Sequence, residues 1–244
     1  MDRIEYLYEF ISSYIEEQDL PCSRIAIRAA REELEGIIRK SRIFDRQGVL
    51  RQTYFEHCLI VTKLLIDLNI PVSHDEADII IASGLCHDMI AHAKFPKKGL
   101  ELTEDYHLDP RIYEIVRVTT KTGVRTEADL QQHYNEISRN RLAVLVAMAD
   151  RSNLVENVYA LSISEALDYI REIRDYALPM CVFALEHYPD IRLPVKLLAD
   201  KVHNLIDVTD IISRRYQDKE TACKKEILSL REENAKLRSM IASF

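Results

Sequence analysis

Glycine and proline are scarce, 5 and 7 residues in a chain of 244. So few turn formers cannot punctuate an architecture of many short strands, and they point to long helices. Neither strand-type alternation nor an internal repeat is found. The five cysteines, Cys22, Cys58, Cys86, Cys181 and Cys223, are odd in number, widely spaced and without a Cys-x-x-Cys pair. That excludes a disulfide frame or a cysteine zinc site and suggests reduced thiols in a reducing compartment. No apolar run approaches the ~18 residues of a spanning helix. The opening Met1-Asp2-Arg3-Ile4-Glu5 carries charge where a signal peptide would be apolar. The expected location is therefore cytoplasmic, without membrane association. Positive charge is also in deficit. The net charge of −7 argues against a nucleic-acid surface, which needs clustered Lys and Arg. A small anionic ligand stays open if a few cations converge. There is no glycine-rich phosphate loop, and neither Ser83 nor Ser162 has the neighbours of a nucleophile.

What is present suits one large domain, or one domain with an appendage: 47% hydrophobic residues for a core and 30% charged residues for its surface. Residues 3–18 place Ile4, Leu7, Tyr8, Ile11, Tyr14 and Ile15 at helical spacing, up to Leu20-Pro21. Helices are expected over 23–40 and 53–68, separated by the polar connector Phe44-Asp45-Arg46-Gln47-Gly48. Ser73, with Glu76 three residues on, should form a capping box for a helix over 75–92. Residues 93–108 read as a long loop, and Asp109-Pro110 as the start of a helix to about 121. A weak stretch at 127–136 precedes a strong helix over 138–158; further helices are expected from Ser162 or Ser164 to about 187, and from Pro194 to about 217.

The tail differs in kind. Cys223, Leu230, Leu237 and Phe244 recur every seven residues, with Ile227, Asn234 and Ile241 as the second apolar seam. Such heptads make a short coiled coil, and one Asn at an a position favours a parallel pair. The expected organisation is a helical domain over 1–218, with residues 1–20 packing on it, and a coiled-coil tail over 219–244 that forms a homodimer. The other reading is a surface helix lying on its own domain.

Three places put metal-ligand side chains where an apolar helix would otherwise continue. They are Tyr54-Phe55-Glu56-His57, the run Ile79 to Leu85 that delivers Cys86-His87-Asp88, and the run Leu142 to Ala149 that delivers Asp150. A carboxylate at the end of such a run needs compensation, because burying an unpaired charge is costly. Two imidazoles and two carboxylates, His57, His87, Asp88 and Asp150, form a mixed set suited to manganese, iron, zinc, nickel or cobalt rather than calcium. Order and spacing make the pattern more specific than its parts: His, then His-Asp 30 residues on, then Asp 62 after that.

That series resembles the HD metal-dependent phosphohydrolase superfamily. Within it, the chain is most similar to the RelA/SpoT-type guanosine tetraphosphate 3′-pyrophosphohydrolase domain and its small single-domain relatives. Tyr54-x-x-His57, Leu85-Cys86-His87-Asp88, Val118-Thr119-Thr120-Lys121, Tyr134-x-x-Ile137 and Leu145 to Asn153 carry the likeness, which covers roughly residues 24–215. It implies an all-α HD-domain bundle with one divalent metal, manganese first, held by His57, His87, Asp88 and Asp150. It also implies a nucleotide phosphate or pyrophosphate as substrate. Arg46, Lys121, Arg151 and Tyr169 would bind that substrate, and His92 and Asn153 would assist catalysis. Two departures stand out. The family's Glu-Asp pair after His-Asp is here Ala91-His92, and a second amide is replaced by Leu154. A look-alike series, Leu198-Ala199-Asp200-Lys201-Val202-His203-Asn204, also copies the family's second motif. Asp150 is preferred, because Asp200 shares a polar helix face with Asn204 and Asp207. The sequence thus leaves three readings: a hydrolase, a nucleotide-binding regulator that has lost its acids, and a helical scaffold whose His and Asp residues are incidental.

Overall fold

A computed structural model describes residues 2–37, 52–92, 104–121, 123, 126–158, 161 and 163–242. The chain is all-α, and no strand occurs among the described residues. The helices are α1 (Arg3–Glu17), α2 (Pro21–Leu34), α3 (Tyr54–Asp67), α4 (His74–Cys86), α5 (Met89–His92) and α6 (Pro110–Thr119). They continue with α7 (Glu127–Ser138), α8 (Arg141–Glu156), α9 (Ile163–Glu172), α10 (Leu178–His187) and α11 (Arg192–Ala242). By its internal contacts the chain divides into two units, Met1–Val202 and His203–Phe244, with the division falling inside α11. No helix among the described residues is long and apolar enough to cross a membrane.

Local chemistry sets most helix starts. Ser73 and Glu76 form the expected capping box, and Thr126 with Asp129 forms a second. Asn140 accepts from Leu142 N–H and Ala143 N–H at the head of α8, and Thr53 accepts from Glu56 N–H at the head of α3. The second box turns the weak stretch at 127–136 into a regular helix.

Several boundaries differ from expectation. α2 ends at Leu34 rather than near residue 40, and Gly36 follows at φ +79°, where a side chain would be strained. α4 stops at Cys86 because the His87 ring donates from Nδ1 to the Gly84 carbonyl at 2.8 Å, taking an acceptor the helix would otherwise use; α5 resumes after the His87-Asp88 turn. The expected helix to residue 187 contains a π-helical turn, Ile173–Ala177, just ahead of Pro179, which has no N–H to give. α11 runs past residue 217 to Ala242, because neither Gly nor Pro interrupts residues 195–242. The 44–48 connector and most of the expected 93–108 loop lie outside the described residues.

Within Met1–Val202, α4 packs against α2, α3 and α6, while α8 packs against α3, α6 and α7. The core is drawn from Leu7, Ile11 and Ile15 of α1, Ile79 to Leu85 of α4 and Ala143 to Ala149 of α8. Gly84 lets α3 and α4 pack closely: a Cβ there would lie 2.8 Å from Leu65 Cδ1. That contact brings the α3 and α4 ends of the site together.

One helix end is capped only in the folded chain. Leu20 offers no side-chain cap to α2, and Asp78 of α4 does so instead, accepting from Cys22 N–H at 2.8 Å and Ser23 N–H at 2.7 Å. Ser23 also donates its hydroxyl to Asp78 Oδ1 at 2.6 Å. Asp78→Ala leaves the Cys22 and Ser23 N–H groups unpaired while the Ser23 hydroxyl keeps the carbonyl of residue 78, so the expected loss is about 2–3 kcal/mol, read as a lower urea midpoint at unchanged slope. An unchanged midpoint would refute this role.

Within His203–Phe244, α11 carries the exposed apolar side chains Ile227, Leu228 and Leu230, and His203 lies 3.5 Å from Asp207 one turn on.

Candidate metal centre

The first turn of α3 carries His57, fully buried; the α4–α5 turn carries His87 and Asp88; α8 carries Asp150, Arg151 and Asn153. Asp150 and Asn153 are three residues apart, hence on one helix face, and both meet His57. Its Nδ1 lies 2.7 Å from Asn153 Oδ1, and its Nε2 lies 2.9 Å from Asp150 Oδ1. The His87 Nδ1 is engaged by the Gly84 carbonyl, and its Nε2 faces that of His57 at 3.1 Å. With Nδ1 of each ring donating to a carbonyl oxygen, both Nε2 lone pairs converge.

The carboxylates close the set. Asp88 Oδ2 lies 3.7 Å from His57 Nε2 and 3.8 Å from His87 Nε2, and Asp150 Oδ1 is 3.9 Å from His87 Nε2. Asp88 Oδ2 is buried and has no hydrogen-bond partner among the described residues. A buried carboxylate oxygen without a donor, beside two converging lone pairs, calls for a cation. Donors about 3–4 Å apart match the spacing around an ion bound at ~2.1 Å. The buried His57, His87 and Asp150 cluster could hold a metal ion.

Cys58, His87 and Asp88 form a second group of compatible donors. Cys58 Sγ is 3.7 Å from His87 Nδ1, the nitrogen already committed to Gly84. Burial raises the Cys58 thiol, and His87 pulls it the other way.

The charges around the centre are strongly coupled. Burial opposes a charged Asp150, yet the adjacent Arg151 guanidinium and His57 hold its carboxyl well below the usual carboxylate range. Burial likewise opposes a charged His87, but Cys58, Asp88 and Asp150 outweigh it and push the ring up to about 10. In the protein alone, a proton thus stands in for positive charge that the four donors attract.

A cleft of about 270 Å³ opens beside the centre, lined among others by His87, Asp88, His92, Lys121, Arg151 and Tyr169. Arg151 is buried, pairs with Asp150, and donates from Nε to the Tyr134 hydroxyl at 3.0 Å. Lys121 pairs with Glu172 at the rim, and Tyr134 donates to the same carboxylate at 2.7 Å. Burial and repulsion from Arg151 push Lys121 down to about 8, although a third of its side chain, 33%, stays exposed. The Tyr169 hydroxyl is buried without a partner among the described residues and borders the cleft. His92 stacks on Tyr54 with ring centroids 3.9 Å apart, its Nε2 4.0 Å from Asp88 Oδ1.

The structure therefore brings His57, His87, Asp88, Asp150 and Asn153 together, and places His92, Lys121, Arg151 and Tyr169 along the adjoining cleft. Arg46 lies outside the described residues. Ala91 lines the cleft and is exposed, so the position where the resemblance implies an acid presents a methyl group. Asp200 is exposed on α11 and pairs with Lys196 at 2.6 Å.

Sequence reasoning missed Glu172, the acid shared by Lys121, Tyr134 and Arg151. Its signal was its position, three residues after Tyr169 on the same helix. His133 was missed as well. It is buried beneath this network, and burial, then Arg151 and Lys121, push it down to about 4, with Glu172 and Glu136 pulling the other way. Its folded value lies below the unfolded ~6.5, so the stability it contributes is complete above pH ~6.5 and is lost as pH falls toward 4. His133→Gln should flatten the decline between pH 6.5 and 4 by up to about 1.4 kcal/mol per pH unit. Parallel pH profiles of urea unfolding for the two proteins would show that this histidine contributes nothing.

Comparison with protein-family models gives no match for this chain, and comparison with curated proteins gives none either.

Proposed function

We propose that this protein is a metal-dependent phosphohydrolase acting on a nucleotide phosphate or pyrophosphate, with guanosine tetraphosphate as the first candidate. One observation carries the reading: two Nε2 atoms and two carboxylate oxygens converge on the wall of a cleft that also holds two cations. His57, His87, Asp88 and Asp150 would hold the ion, manganese first among the metals that suit an N/O set. When bound, that ion supplies Lewis acidity toward a phosphoryl group and toward water.

The charge balance supports an anionic ligand only with the ion present. Without the ion, Asp88, Asp150 and Glu172 are matched by Lys121, Arg151 and the charged His87; a divalent ion, held by a neutral His87, makes the sum positive. The remaining roles belong to the chain. Lys121 at the rim and the ion-paired Arg151 face the developing phosphate charge. Asn153 fixes the His57 tautomer, the kind of outer support on which metal affinity depends. Tyr169 offers its buried hydroxyl to the ligand. His92, at the mouth, is placed to move a proton.

Ala91 favours a second reading, a nucleotide-binding regulator. The two carboxylates among the described lining residues belong to the donor set, so His92 alone replaces the pair of acids that the resemblance implies. Elemental analysis of untagged protein, followed by a nucleotide panel with added manganese, separates the readings. Turnover supports hydrolysis. Binding without turnover, with activity gained on restoring Ala91→Glu and His92→Asp, supports the regulator. Protein that takes up no metal and binds no nucleotide overturns both.

A further inference from the structure

The described part of α11 beyond residue 220 exposes Ile227, at 49%, and Leu230, at 56%, one helical turn apart. In the heptad register they occupy an a and a d position. Helices this apolar along one stripe bury it against a partner. We infer that the stripe is covered by the same segment of a second copy of this chain, running parallel and in register.

Charge selects both the occupant and its direction. Positions g are Glu226 and Glu233, and the positions e that follow five residues later are Arg231 and Arg238. In a parallel pair, g of one helix meets the following e of the other. Glu226 then meets Arg231 of the second copy, Glu233 meets Arg238 of the second copy, and each pairing occurs twice by symmetry. An antiparallel pair would set Glu against Glu and Arg against Arg. Asn234 adds to this: in parallel register it faces its own counterpart across the axis, whereas antiparallel packing would set it against leucine. Glu220, at the preceding a position, ends the seam on its N-terminal side. The inference is independent of the chemistry proposed for the metal centre.

Full-length chain in sedimentation equilibrium should approach twice the monomer mass as its concentration rises. Glu226→Lys with Glu233→Lys should be monomeric at concentrations where the native chain is paired. Adding Arg231→Glu and Arg238→Glu should restore the pairing. Cys223 is exposed and occupies a d position, so direction can be read chemically. Diamide should join Cys223 to Cys223 of the second copy: two thiols each lose a hydrogen to the diazene, and one S–S bond forms. Cys223→Ser should abolish that crosslink and leave the mass unchanged. A monomer at every concentration, a mass indifferent to the charge reversals, or a paired chain without the Cys223 crosslink overturns the inference.

Discussion

Asp150→Asn is expected to abolish uptake of added manganese while leaving the protein folded. The substitution keeps the shape of the side chain but removes the charge that balances Arg151 and the donor 2.9 Å from His57 Nε2. Removing an outer partner of a metal ligand lowers affinity roughly 10–100-fold, so loss of a ligand should exceed that range. Asn153→Ala, which removes the oxygen facing His57 Nδ1 and leaves the four donors in place, is the internal comparison and should fall within it. Asp200→Ala should change nothing, because Asp200 pairs with Lys196 on an exposed face. Metal retained by Asp150→Asn, or lost from Asp200→Ala, would dismantle the donor set.

Glu172→Gln should cost several kcal/mol of stability although the change is conservative. Its carboxylate accepts from Lys121 and Tyr134, and its Oε1 lies 3.9 Å from Arg151 Nε. Burial opposes its charge, and Arg151 with Lys121 more than compensates, so the carboxyl stays below its ordinary range. Removing one partner of a buried ion network leaves the others uncompensated, at about 3–5 kcal/mol. For a chain of this size that is a fall in melting temperature of roughly 10 °C. Lys121 keeps a third of its side chain in water and can turn outward, which places the expected loss at the lower end. Adding Lys121→Met should recover part of it, by removing one orphaned cation. A Glu172→Gln protein that melts with the native one would show that Arg151 is satisfied without this acid.

Much of the molecule was legible because its signals are local. Ser73 and Glu76 lie three residues apart, as do Thr126 and Asp129, and a capping box is complete within that span. The apolar runs ending at His87-Asp88 and Asp150 are continuous in sequence, so the donors they deliver could be named before any coordinates. Where local signals misled, a side chain had acted on the backbone. His87 was expected inside a helix, but its ring takes the Gly84 carbonyl and ends α4 there. Pro194 was expected to open a helix, but two residues precede it, since a proline in the first turn removes no hydrogen bond.

By itself, the sequence determined the helical class, most helix starts and the order of the four candidate metal ligands, because periodicity and capping act over three or four residues. Only the tertiary structure decided which groups neutralise and orient them. Asp78 caps a helix 55 residues away, Asn153 holds a ring 96 residues away, and Glu172 answers Lys121 across 51. Coulombic and hydrogen-bond partners are chosen by distance in space, and no spacing along the chain encodes that distance.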